Sequence, residues 1–280
     1  MRTVQKEEIQ RVIVKREENS YKGDFGRLLL IGGTYPYGGA IIMAALAAVH
    51  SGAGLVTVAT DPDNLTALHS HLPEAMGFDL ADHELLCEQL QKAGVILVGP
   101  GLKEARESQA ILHMIFEHVS SQQVLIIDGG AISLLVASQF ELPKAQLVFT
   151  PHQKEWEKLS GLDLASQTEE KSREAVQSFP KGTVIVEKGP HTRIWTSGQE
   201  EGYQLDVGGP YQATGGMGDT LAGMIAGFAG QFPQVSLYER VVVATYLHSA
   251  IAEDLSKEAY VVLPTTISQE IPKWMREIIS

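Results

Sequence analysis

Six short apolar runs, each closing on glycine or a polar residue, recur along the chain: LLLIGG (28–33), GLVTVAT (54–60), VILVGPG (95–101), VLIIDGG (124–130), QLVFTPH (146–152) and GTVIVEKGP (182–190). Between them lie longer stretches with helical spacing, among them AIIMAALAAVHSG, PDNLTALHSHL, ARESQAILHMIFEHV and TEEKSREAVQSF. A strand that is apolar at successive positions must be covered on both faces, and parallel neighbours need helix-length crossovers. The alternation therefore predicts an α/β fold, with a central, mostly parallel sheet and helices on both faces. KGPHTRIWTSGQEEGYQLDVGG reads instead as short strands joined by turns at GPH and SGQEEG, which predicts a small antiparallel edge. Two further helices are expected at 235–254 and 265–279. No Pro-, Ser- or charge-rich break interrupts the chain beyond about residue 25, so residues 1–280 are read as a single domain.

Acids outnumber Lys and Arg 34 to 22, for a net charge of −12, which excludes a general nucleic-acid binder. An anionic ligand would have to be held by local dipoles instead. Cys87 is the single cysteine, so there is no internal disulfide and no thiolate metal cluster. Its setting, HELLCEQL, reads as an amphipathic helix carrying a buried structural thiol. His69 and His71 lack a third ligand at metal spacing and are assigned to a solvated helix end, and no metal site is assigned in the protein. The charged amino terminus has no signal-peptide apolar region, and no apolar run approaches the roughly 20 residues of a membrane span, so a cytoplasmic protein without membrane contact is expected.

Neither G-x-x-x-x-G-K-[ST] nor a strand-to-helix G-x-G-x-x-G is present. TGGMGDTLAGMIAGF offers another anion device, because Gly215, Gly216 and Gly218 leave amides uncovered where a helix begins. Asp219 falls in or before the first turn, where it could simply cap the helix or could accept a proton from a hydroxyl while the amides hold a phosphoryl group. In VFTPHQKEWEKLSG, Thr150 is expected to cap, Pro151 to open the helix, Gln153 to complete a capping box and Gly161 to end it. That leaves His152 without a capping role, projecting from the carboxyl end of the sheet, where ligands of open α/β sheets bind. Lys188 in KGPHT is either a solvated turn lysine or a nucleotide contact. GGTYPYGGA (32–40) is a loose glycine loop leading into a helix that starts near Ala40.

Taken in order, YKGDFGRLLLIGGTYPYGGAIIMAALAAVHSGAGLVTVAT, VGPGL, VFTPHQKEWEKLSG, VIVEKGPHTRIW and YQATGGMGDTLAGMIAGFAGQ resemble the ADP/ATP-dependent NAD(P)H-hydrate dehydratases of the ribokinase-like superfamily. The resemblance runs from about Lys22 to about Ile251. It implies a ribokinase-like fold and a repair lyase that returns the S epimer of hydrated NADH or NADPH to the normal cofactor while consuming ADP, or ATP in some members. By motif, Ala40, Gly101 and His152 are expected against the hydrated nicotinamide nucleotide. Lys188, Gly189, Pro190, His191, Thr192 and Gly218 are expected against the adenine nucleotide, with Asp219 next to the hydrated ring. In that reading Asp219 accepts the ring-hydroxyl proton, while the amides of Gly216 to Gly218, with Mg2+, spread the charge on the transferring phosphoryl group. The resemblance also implies a homotetramer and a functional link to a separate NAD(P)H-hydrate epimerase; members often carry a fused epimerase domain, for which this chain is expected to have no room.

Two departures stand out. The family usually reads Asp-Ala-Asp-Ala-Leu where this chain has DGGAI (128–132), so Gly130 replaces the second acid. KGPHT replaces a more usual KGAGT-type turn and sets bulky His191 near the expected nucleotide. Two alternatives share the glycine turn and its acid: a kinase of the same superfamily acting on a thiazole, pyrimidine or sugar alcohol, and a nucleotide-sensing scaffold that kept the fold and lost turnover.

Overall fold

Strands form where the apolar runs predict them, and the computed structural model describes residues 1–280. The strands are β1 (Arg27–Ile31), β2 (Leu55–Thr60), β3 (Met76–Asp79), β4 (Val95–Val98), β5 (Val124–Ile127), β6 (Gln146–Phe149), β7 (Val184–Glu187), β8 (Arg193–Thr196) and β9 (Tyr203–Gln204). The helices are α1 (Lys6–Val12), α2 (Gly38–His50), α3 (Leu65–His71), α4 (His83–Lys92), α5 (Arg106–His118), α6 (Gly129–Ser138), α7 (Gln153–Ser160), α8 (Glu169–Val176), α9 (Met217–Ala229), α10 (Leu237–Leu255) and α11 (Pro264–Ile278). All nine strands lie in one sheet, ordered β3-β2-β1-β4-β5-β6-β7-β8-β9. Pairing is parallel from β3 through β7 and antiparallel for β8 and β9, which is the expected edge.

Strand periodicity sorts the core. Leu28, Leu30, Val95, Leu97 and Ile126 face α2, α9, α10 and α11, while Leu29, Ile31, Ile96, Val98 and Ile127 face α4 to α8. The first face is the larger, with 45 buried residues against 26, and it encloses α9, every residue of which from Thr220 to Ala229 is buried. Gly223 and Gly227 let α2 come close, since a Cβ on Gly223 would strike the Ala44 carbonyl. No helix is long and apolar enough to cross a membrane.

α2 begins at Gly38, near its expected start, so Ala40 lies inside its first turn. Two sequence expectations need correction. Cys87 is only half-buried, with its Sγ 3.6 Å from Met114 Sδ and 3.8 Å from His118 Nε2. β3 was not expected at all. It has four residues at a sheet edge, with Met76 exposed and Gly77 in its interior, and so carries little strand signal.

Candidate active site

Strand order reverses between β1 and β4, the place where an open α/β sheet leaves a crevice beyond its carboxyl ends. The loops after these two strands meet there. Thr34 N–H donates to the Gly101 carbonyl (2.9 Å), and a Cβ added at Gly101 would lie 3.0 Å from Ala40 Cβ. Ala40 and Gly101, distant in sequence, are thus in contact at the switch point.

One strand further, β5 delivers Asp128. It occupies the cap position of α6, yet its side chain makes no capping bond. Asp128 Oδ1 instead accepts from Thr150 Oγ1 (2.6 Å), at the end of β6, and from Lys188 Nζ (2.9 Å), at the end of β7. Three adjacent strand ends are thereby tied by one buried carboxylate. Burial pulls the Lys188 ammonium down, but Asp128, Glu155 and Asp219 outweigh it and hold the group above the ordinary lysine value. Lys188 is therefore a fixed cation and not the solvated turn lysine weighed above.

α9 opens against this cluster. Gly216 caps it with φ 91°, a left-handed conformation that favours glycine, and a Cβ there would run into Met43 of α2. The first helical bond runs from Thr220 N–H to the Gly216 carbonyl (3.0 Å), leaving the amides of Met217 and Gly218 without a helical partner. A Cβ on Gly218 would sit 3.2 Å from Lys188 Nζ, so the cation and the uncovered amides face one space. Asp219 follows in the first turn. Burial, and then the charge of Asp128, push its carboxyl up to about 6 against the pull of Lys188 and its own backbone N–H. It is a carboxylate at neutral pH, but a basic one.

His152 is placed differently from expectation. It caps α7, its Nδ1 accepting from Lys154 N–H (3.1 Å) and Glu155 N–H (3.2 Å), while Glu155 Oε2 accepts from His152 N–H (2.8 Å). The capping box is therefore His152 with Glu155, not Thr150 with Gln153, because Thr150 Oγ1 is committed to Asp128. Gly161 ends the helix in the left-handed conformation, as its sequence predicts. With Nδ1 accepting two amides, the neutral ring carries its proton on Nε2, which faces Glu155 Oε1 at 3.4 Å. Burial and the nearby Lys188 push the His152 imidazole below its ordinary value. Burial raises buried Glu155 to about 7, against Lys188 and the His152 amide.

Beside this cluster lies a cavity of about 720 Å³, lined by His152, the 188–192 turn, Gly208 to Pro210, and Met217, Gly218 and Leu221 of α9. It gathers Lys188, Gly189, Pro190, His191, Thr192, Gly218 and His152 from the expected set. Asp219 and Gly216 do not line it but flank its Met217 and Gly218, whereas Ala40 and Gly101 lie two strands away at the switch point. His248 of α10 also lines it, neutral because burial takes its imidazole down to about 4. Its Nε2 and the Thr220 hydroxyl are buried without a hydrogen-bond partner. A larger cavity, about 950 Å³, lies at the opposite end of the sheet between residues 13–25 and the carboxyl ends of α2 and α9, remote from these groups.

Gly130 is explained by packing. A Cβ there would overlap the Leu102 carbonyl, so the 101–105 loop has closed over the position that an acid fills in the usual pattern. Sequence reasoning missed Glu155, Thr150 as an Asp128 partner, and His248. Only Glu155 carried a signal, three residues after His152 in a helix-opening pattern.

A glycine turn that opens a buried helix with its first amides free, and one basic carboxylate at its mouth on the carboxyl edge of a doubly covered sheet, define a ribokinase-like protein. The model of the NAD(P)H-hydrate dehydratase family matches residues 28–273, and the chain belongs to that family. It is 61% identical over 278 residues to the ADP-dependent (S)-NAD(P)H-hydrate dehydratase of Streptococcus pneumoniae, covering 99% of this chain and 96% of that protein. The crystal structure of a hypothetical protein from Streptococcus mutans superposes with a TM-score of 0.95 at 52% identity, covering all of both chains. The ADP/ATP-dependent NAD(P)H-hydrate dehydratase of Bacillus subtilis, co-crystallised with ATP and Mg2+, gives 0.83 at 26% identity, covering 99% of this chain and 98% of that one.

Proposed function

We propose that this protein is an ADP-dependent dehydratase of the S form of hydrated NADH or NADPH. The observation that carries the reading is the convergence, at the mouth of α9, of the Asp219 carboxyl, two uncovered amides and the Lys188 ammonium. ADP occupies the 720 Å³ cavity, with its phosphates toward Gly218 and its nucleoside toward the 188–192 turn. The hydrated ring lies over Asp219, between that cavity and the Ala40–Gly101 contact.

Asp219, raised to about 6 and ionised at neutral pH, accepts the proton of the ring hydroxyl. The oxygen attacks the terminal phosphorus of ADP, and AMP leaves. Charge on the transferring group is met by the Met217 and Gly218 amides and by Lys188, which Asp128 holds in place. The ring nitrogen's lone pair then expels the phosphorylated oxygen as phosphate, and loss of a proton from the neighbouring carbon restores the dihydropyridine. The sum is hydrate plus ADP giving the reduced cofactor, AMP and phosphate. His152 presents Nε2–H, with its tautomer fixed by the α7 amides, as a donor to the nicotinamide nucleotide.

No three His, Cys, Asp or Glu side chains form a metal cage. Mg2+ is held chiefly by nucleotide phosphates and water with at most one or two carboxylates, and Asp128, whose Oδ2 takes no bond from Thr150 or Lys188, is the acid that would hold it. Bound there, it would neutralise phosphate charge. The substrate is one epimer, so an epimerase acting on the other would feed the same site.

The test is phosphate release from ADP with and without hydrated NADH, followed together with reduced-nicotinamide absorbance. Hydrate-dependent phosphate release with a matching rise in absorbance is expected. A phosphorylated small product without that rise would instead establish a kinase.

A further inference from the structure

The carboxyl edge continues past the switch point into a second groove of about 870 Å³ at the ends of β1, β2 and β3, walled by Thr34, Asp61, Asp79, Arg106 and Ala110. Thr34 joins it to the crevice. Its hydroxyl donates to the Gly101 carbonyl (3.1 Å) and accepts from Lys103 N–H (2.8 Å). The groove thus begins where the Ala40–Gly101 contact ends.

Its polar groups are prepared but uncommitted. Asp61 Oδ1 accepts from Asp63 N–H (3.0 Å) and Asp79 Oδ1 from Ala81 N–H (2.9 Å), which fixes both carboxylates and leaves the second oxygen of each without a protein partner. Arg106, the first residue of α5, lines the groove and makes no ion pair. Fixed acids suit the hydroxyls of a ribose, and a free guanidinium suits a phosphate.

Geometry selects the ligand. A hydrated dinucleotide carries a second nucleotide beyond its reacting ring. On the proposed dehydratase reading, the β6 to β9 side is taken by ADP, so that second nucleotide must extend the other way, over Gly101. From β5 to β2 is three strand steps, about 14 Å, which a dinucleotide bridges. We infer that this groove binds the adenosine half of the hydrated dinucleotide, with Arg106 on its pyrophosphate and Asp61 and Asp79 on its ribose hydroxyls. The inference rests on the dehydratase reading.

The experiment compares hydrated NADH with hydrated reduced nicotinamide mononucleotide, which ends at its first phosphate, using wild type, Arg106→Ala and Ala110→Trp. Both positions are exposed, so the fold is kept, as melting curves will verify. For the dinucleotide, each variant should raise KM about tenfold with kcat unchanged, the scale of one lost charge-assisted contact. KM for the mononucleotide and for ADP should not move. Wild-type KM for the dinucleotide in both variants, or an equal rise for the mononucleotide, would overturn the inference. Wild-type failure on both hydrates would instead strike the dehydratase reading.

Discussion

Replacing Asp219 by Asn should cripple turnover and stabilise the protein at once. The carboxyl, ordinarily near 3.8, titrates at about 6 in the folded chain because burial and Asp128 oppose its charge. At about 1.4 kcal/mol per pH unit, this displacement makes the ionised group cost the folded state about 3 kcal/mol. Above pH 6 the group is ionised in folded and unfolded chains alike, and the penalty is complete. As pH falls through 6 the folded state takes up its proton first, and the penalty shrinks until it vanishes below about 3.8. Asparagine keeps the shape and removes the charge. At pH 8, Asp219→Asn should therefore raise Tm by roughly 4–8 °C, with little of that gain left at pH 4. Turnover should fall at least about a hundredfold while ADP affinity changes little, because the amides and Lys188 remain. Wild-type turnover should also fall about tenfold per pH unit below 6, a limb that the variant's residual activity lacks. Differential scanning calorimetry at the two pH values, beside the coupled phosphate and absorbance assay, reads all of these. Near-wild-type turnover in the variant, or an unchanged Tm at pH 8, would refute the role assigned to this carboxylate.

Lys188→Met should cost about 3–5 kcal/mol in urea unfolding at pH 8, because it strands buried Asp128 and Glu155 without their cation. Part of that loss should return at pH 5, where buried Glu155, already raised to about 7, is protonated in the folded state. Gly130→Asp, which restores the usual family acid, should lose at least about 2 kcal/mol by urea unfolding, since its Cβ must displace the Leu102 carbonyl. His152→Ala should lose about 1 kcal/mol of stability with the α7 cap, and His152→Asn should recover most of it in the same measurement, because an Asn side chain can accept the same amides.

The layered architecture was legible because it is written in local periodicity. Runs such as VILV and VLII cannot be left half-exposed, and the glycines before α9 mark a helix start with free amides through backbone geometry alone. The family motifs carried Asp219, Lys188 and His152 for the same reason, since each lies within a short, strongly patterned stretch. What the chain order concealed was partnership across strands. Asp128, Thr150 and Lys188 sit on three different strand ends and become one network only when β5, β6 and β7 lie side by side. That network took Thr150 away from the cap of α7 and left the role to His152, whose free end the sequence alone suggested. The sequence by itself determined where the apolar strands, their covering helices and the glycine turn with free amides fall. Only the tertiary structure decided which carboxylate keeps a cation, which one is driven toward neutrality and which position has no room for a side chain, because burial and charge separation exist only between parts of the chain brought together by the sheet.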